Sequence, residues 1–317
     1  MHCKALGKSG TLTLSSIQED EVQLAAQGES LFVLGYTLAL ARTRLYRVSR
    51  AGGPVEPIAE QKGIGDRTHF ALEGGAAYYT QAGKLFKLGP EKGAALKLYE
   101  GVHSPVAITQ GQLFVIACDS KGRDALLQIP SDGGAAETVA ELPRASRDRC
   151  RYASIVADER AVFIADWNGS RVLAVARADK SVTPIVSKQG FPSTLSLDTA
   201  GLAFTSALGV FHVDRQGGSR TQLVNEDVAL APYAMAASYG DEHWVFDNTA
   251  YARSCNLYRL SQGERAPKPF LQLHDTDPNG STMDGFGLLD FTVDDERVYV
   301  AQTQYAKPGA QILVKLK

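Results

Sequence analysis

The sequence predicts an all-β protein, a seven-bladed β-propeller of four-stranded antiparallel blades. Three observations point there. A short alternating strand recurs seven times, a second apolar strand precedes each copy, and glycine-bearing turns follow most of them. The recurring strand reads Leu45-Tyr46-Arg47-Val48, then Leu85-Phe86-Lys87-Leu88, Leu126-Leu127-Gln128-Ile129 and Val172-Leu173-Ala174-Val175. Val210-Phe211-His212-Val213, Leu257-Tyr258-Arg259-Leu260 and Leu313-Val314-Lys315-Leu316 complete the set, with starts separated by 40, 41, 46, 38, 47 and 56 residues. Period-two alternation marks each as a strand of a sheet, and a fixed spacing of this size marks a repeat architecture.

The preceding strand is aromatic or β-branched: Leu31 to Leu34, Ala77 to Thr80, Leu113 to Ile116, Val162 to Ala165, Leu202 to Thr205, His243 to Phe246 and Val298 to Ala301. Before most of these lies a short strand and a turn, as in Val156-Ala157-Asp158-Glu159 and Val293-Asp294-Asp295-Glu296. Turns such as Asp132-Gly133-Gly134 and Gln216-Gly217-Gly218 suit tight hairpins. Each unit is then a four-stranded meander. The seventh ends at Lys317 one strand short, and Thr11-Leu12-Thr13-Leu14 is expected to complete it and close the ring. One propeller over residues 1–317 follows, with no linker between domains.

Ala165-Asp166-Trp167-Asn168-Gly169-Ser170-Arg171-Val172 resembles the core of the NHL repeat, and Ala77-Tyr78-Tyr79-Thr80-Gln81 resembles a degraded YWTD element of the TolB-like propellers. The likeness is one of blade grammar along the whole chain; most blades depart from both patterns. Propellers of these kinds include binding modules, lyases and lactone-type hydrolases, so the resemblance implies the fold and leaves the activity open.

Composition narrows the function classes. The 317 residues carry 33 basic and 35 acidic side chains, a net charge of -2, and no dominant basic block, which argues against nucleic-acid partners. No apolar run is long enough to span a membrane. No nucleophile elbow, HExxH or Walker loop occurs. The expected function is therefore non-catalytic binding of a small molecule, peptide or protein by a monomer, at the loop-rich face and channel mouth. The alternative is a hydrolase or lyase acting at the mouth of the central channel with histidine and a divalent metal.

In a meander blade the loop between strands two and three shares one face with the inter-blade loop, and the long insertions fall on that face. This top face is the expected binding surface. Inner-strand openers line the channel mouth: His69, His103, Tyr152, Phe191, Tyr233 and Phe286, with Asp20 or Glu21. The aromatics either contact a ligand or fill the taper of the inner strands. His69 and His103, with Asp66 nearest, are candidate acid–base or metal groups, or ordinary rim residues. Asp166 and Asp247, at the ends of second strands, either present a polar ring to a ligand or cap turns through backbone N–H groups. Asp275-Thr276-Asp277-Pro278-Asn279-Gly280 resembles the start of a calcium loop, with Asp284 a further oxygen donor; Phe286 stands where the bidentate glutamate belongs. A calcium site and a solvated acidic turn both fit.

Cys118 and Cys150 map to adjacent blades at the top and are expected to form a disulfide, which would place the protein in an oxidising compartment. An exported location is favoured. If a leader preceded Cys3, that residue would sit where a lipid-modified cysteine starts a mature protein.

Overall fold

A computed structural model describes residues 11–19, 21–37, 40, 42–62, 70–89, 93–118, 123–143, 152–224, 235–247, 254–261, 268–274, 286–304 and 310–317. The described strands form seven sheets, the blades of a propeller. Blade 1 comprises Glu21–Gln27, Ser30–Thr37, Arg42–Ser49 and Glu56–Lys62. Blade 2 comprises Phe70–Glu73, Ala76–Gln81, Lys84–Leu88 and Leu96–Glu100. Ala107–Thr109, Gln112–Cys118, Asp124–Pro130 and Glu137–Leu142 make blade 3. Blade 4 is Tyr152–Ala157, Ala161–Asp166, Arg171–Ala176 and Val182–Ser187. In blade 5 the strands are Leu195–Leu197, Gly201–Ser206, Gly209–Asp214 and Thr221–Val224. Blade 6 uses Met235–Tyr239, Glu242–Asp247, Ser254–Ser261 and Lys268–His274.

Blade 7 takes three strands from the end of the chain, Phe286–Val293, Arg297–Gln304 and Ala310–Leu316. Its outer strand is Thr11–Ile17, antiparallel to Ala310–Leu316 with Leu12 opposite Val314 and Ile17 opposite Ala310. Blade 1 departs from the four-strand expectation. A two-residue strand, Gly93–Ala94, leaves blade 2 and pairs in parallel with Ala59 and Glu60 on its outer edge.

Second strands read as nearly unbroken apolar runs because both of their faces are covered by neighbouring blades. In blade 1, Leu31 and Val33 join a core shared with blade 7, while Phe32 and Leu34 join one shared with blade 2. Outer strands face water and are correspondingly polar, as Leu96–Glu100 shows with no buried residue. The seam between blades 3 and 4 holds thirteen buried apolar residues, from Ala107 to Val175. The seam between blades 5 and 6 holds four among the described residues: Val210, Val224, Val245 and Leu260.

Inner strands have one edge with no strand partner, so their N–H groups need other acceptors. Side chains of the preceding blade supply several. Ser154 Oγ accepts from Leu195 N at 3.2 Å, Ser196 Oγ from Ser238 N at 2.7 Å, and Asp290 Oδ2 from Leu24 N at 2.7 Å. No helix among the described residues is long and apolar enough to cross a membrane.

Candidate metal centre

The structure describes the side chains of five of the residues nominated from sequence: His103, Tyr152, Phe191, Asp166 and Cys118. His69, Asp66, Tyr233, Asp275, Asp277, Asn279, Asp284 and Cys150 lie outside the described residues, and the side chains of Phe286 and Asp247 are not described either. His103 is exposed, anchored by its backbone N–H to Ile116 O at 2.9 Å. Tyr152 is buried in the seam between blades 3 and 4, where its hydroxyl donates to Asp124 Oδ2 at 2.8 Å. Burial, then that carboxylate, raises its pKa. Asp166 is buried and caps its own turn: Oδ1 accepts from Gly169 N at 2.8 Å and Oδ2 from Arg171 Nε at 2.7 Å. Cys118 is half-buried and disulfide-bonded.

Phe191 behaves differently. It is 47% exposed, stacks on Trp167 with ring centroids 5.3 Å apart, and has φ +63°. A bulky side chain in the left-handed region is strained, so the fold holds this ring out at the top of blades 4 and 5 against both sterics and the hydrophobic effect.

The one Asp/His cluster with metal-ligand spacing among the described residues is Asp198, His212 and His243. Asp198 occupies the turn between the first and second strands of blade 5. His212 lies on the third strand, opposite Ala203. His243 is the second residue of the second strand of blade 6, opposite Ser238 and Leu260. All three therefore sit toward the end of the ring opposite the long loops, in the seam between blades 5 and 6. Among the described residues, this cluster therefore lies on the face opposite the expected top-face site.

The candidate ligand atoms lie within 4.8 Å of one another. Asp198 Oδ1 is fixed by Ala200 N at 2.8 Å and Gly201 N at 2.6 Å, which aims Oδ2 into the seam. Oδ2 is buried, 3.0 Å from His212 Nε2 and 3.7 Å from His243 Nδ1, and makes no hydrogen bond of good geometry to either. The imidazole centroids are 5.4 Å apart. Ser238 Oγ, 3.0 Å from His243 Nδ1, holds that ring's orientation. His243 is buried and His212 half-buried, so the cluster meets solvent on the His212 side.

Electrostatics separate the two histidines. The Asp198 carboxylate beside His212 holds its pKa above the ordinary value, against partial burial. Burial pushes His243 below its ordinary value, beyond what Asp198 restores. Burial alone would raise Asp198, but the His212 contact and the turn N–H groups keep it low. The shared carboxylate thus favours the protonated form of His212, while burial favours the neutral form of His243. Two imidazoles and a carboxylate form a mixed nitrogen and oxygen donor set that suits divalent transition-metal ions, whereas Ca²⁺ favours an all-oxygen shell.

Sequence reading placed His212 and His243 on strands but missed their partnership. The usable signal was the turn aspartate itself. Asp158, Asp198 and Asp294 occupy the same turn in blades 4, 5 and 7, each with Oδ1 accepting two backbone N–H groups.

No protein-family model and no curated protein sequence matches this chain. Solved structures do match, across nearly the whole length. U3-55K shares 11% identity at TM-score 0.68, covering 97% of this chain and 98% of that one. An oligogalacturonate lyase from Vibrio parahaemolyticus shares 11% at TM-score 0.64, covering 98% of each. A second oligogalacturonate lyase, solved in complex with manganese, shares 10% at TM-score 0.60, covering 98% of this chain and 99% of that one. A serine-to-alanine mutant of puromycin hydrolase shares 13% at TM-score 0.58, covering 95% of this chain and 51% of that one. These likenesses establish a fold. They do not establish an activity.

Proposed function

We propose that this propeller is a divalent-metal protein of the lyase or hydrolase kind, with the ion held by Asp198, His212 and His243. The observation that carries the reading is the buried Asp198 Oδ2, pinned by its turn and facing two imidazole nitrogens without a well-formed hydrogen bond. A buried carboxylate oxygen in that state is costly unless charge is placed beside it. Three protein ligands would leave room for a further ligand, as in catalytic rather than closed structural sites. The half-buried side at His212 is where a substrate would approach. A bound ion would supply Lewis-acid polarisation of a carbonyl; Asp198, His212 and His243 would hold it, with buried His243 shielding its inner side from bulk water. Lyase and hydrolase propellers of the same fold support the reaction class.

The test is calorimetric titration of chelator-stripped protein with Zn²⁺ and Mn²⁺. One site per chain, weakened at least tenfold in His243→Ala, is expected. Absence of binding at millimolar ion would refute the reading.

A second reading keeps the loop-rich face as a surface for a small molecule, peptide or protein. It rests on the strained, exposed Phe191 stacked on Trp167. A ligand screen read by tryptophan fluorescence should give hits that Phe191→Ala weakens. For location, the disulfide at Cys118 supports export, with Cys150 as its partner. Non-reducing peptide mapping should recover that pair.

A further inference from the structure

The turn aspartates of blades 4, 5 and 7 are alike in how Oδ1 is used and differ in what Oδ2 meets. At the seam between blades 7 and 1, Arg50, directly after the third strand of blade 1, places Nη2 2.7 Å from Asp294 Oδ2. It also donates to Tyr299 Oη and Gly28 O, each at 3.0 Å. At the seam between blades 4 and 5, Arg215 holds the same repeat position, directly after the third strand of blade 5. Its Nη1 lies 2.8 Å from Asp158 Oδ2, and its Nη2 donates to Asp198 O at 2.5 Å. A guanidinium from one blade thus clasps the turn carboxylate of the blade before it.

Blade 6 breaks the series. The residue after its third strand is Gln262 in the sequence, which carries no charge to offer. Asp198, the carboxylate such a cation would meet, instead faces His212 of its own blade and His243 of blade 6. The seam is also the one with the fewest buried apolar residues among those described, four against eight to thirteen elsewhere.

We infer that the ion held at Asp198, His212 and His243 is the clasp between blades 5 and 6, doing there what a guanidinium does at the 4–5 and 7–1 seams. The inference rests on the metal reading above and adds a role to it. The ion bridges ligands from two blades, so it ties the seam whatever chemistry its open position serves. A divalent ion at the cluster joins the blades through a bond on each side, because Asp198 and His212 belong to blade 5 and His243 to blade 6.

Hydrogen exchange on the full chain, stripped by chelator and then reloaded with Zn²⁺ or Mn²⁺ alone, tests this. Binding is followed in parallel by calorimetry. Loading should slow exchange at least tenfold in residues 201–206, 209–214 and 242–247, with little change in blades 2 and 3. It should also raise the melting temperature by about 5 °C at a hundredfold excess over Kd. His212→Gln, at a half-buried position that tolerates a polar amide, should fold and lose both responses. If the ion binds but exchange at the 5–6 seam is unchanged, or slows equally everywhere, the clasp is overturned while the metal site stands. If no ion binds, both fall.

Discussion

Asp290 gives the most direct quantitative test of the fold's inner ring. It sits on the inner strand of blade 7, at the bulge between Leu288 and Asp290, and accepts from Leu24 N across the seam to blade 1. Burial pushes its carboxyl from an ordinary 3.8 up to about 7; the N–H groups of Leu24 and Phe291 pull it back only in part. The sign follows from proton counting. Between about pH 4 and pH 7 the folded state holds a proton that the unfolded state has released, so stability falls as pH rises through that window. The penalty is absent below the unfolded pKa and complete above the folded one.

Asp290→Asn keeps an oxygen for Leu24 N and removes the titration. A displacement of roughly 3 pH units at 1.36 kcal/mol each sets a ceiling of about 4 kcal/mol. Asp290 is only half-buried by accessible surface, and solvent screening brings the expectation down to ~1–2 kcal/mol. Urea unfolding of both proteins at pH 5 and pH 8 isolates the effect, because other titrating groups and the constant cost of placing an amide cancel in the double difference. The variant should gain on the wild type by ~1–2 kcal/mol between those pH values. A gap that stays constant, or that shifts in favour of the wild type at pH 8, would refute a carboxyl displaced by burial.

Two other perturbations probe the blades themselves. Gly53 and Gly209 share φ +126°, but a Cβ at Gly53 meets nothing within 4 Å while one at Gly209 would lie 2.5 Å from Val224 O. Gly53→Ala should cost ~1–2 kcal/mol from backbone strain alone, and Gly209→Ala at least ~2 kcal/mol more by chemical denaturation; equal costs would remove the steric argument. Tyr152→Phe takes a hydroxyl donor from the buried Asp124 Oδ2 and should destabilise by ~1–3 kcal/mol, with no loss if the link between blades 3 and 4 is ornamental.

What was legible in the sequence was what is local. Alternation along Leu45 to Val48 and the turn at Gly52-Gly53 are set by neighbours a few residues away, so blade count and strand order could be read directly. Side-chain roles depend on the blade next door. Tyr152 reads as a channel-mouth aromatic until blade 3 is seen to cover it, and Asp166 reads as a polar ring residue until Gly169 N and Arg171 are found upon it. Asp166 and Asp198 are both buried aspartates in a propeller turn, so burial alone distinguishes nothing. The difference is that Asp166 has Arg171 upon it in its own hairpin, whereas the position on blade 6 that carries arginine in blades 1 and 5 is Gln262. In a repeat protein each blade serves as the control for the others. A buried carboxylate that meets arginine in sister blades and two histidines in its own is therefore a stronger pointer to a bound cation than any short motif, including the acidic run at 275–284, which has no such internal comparison.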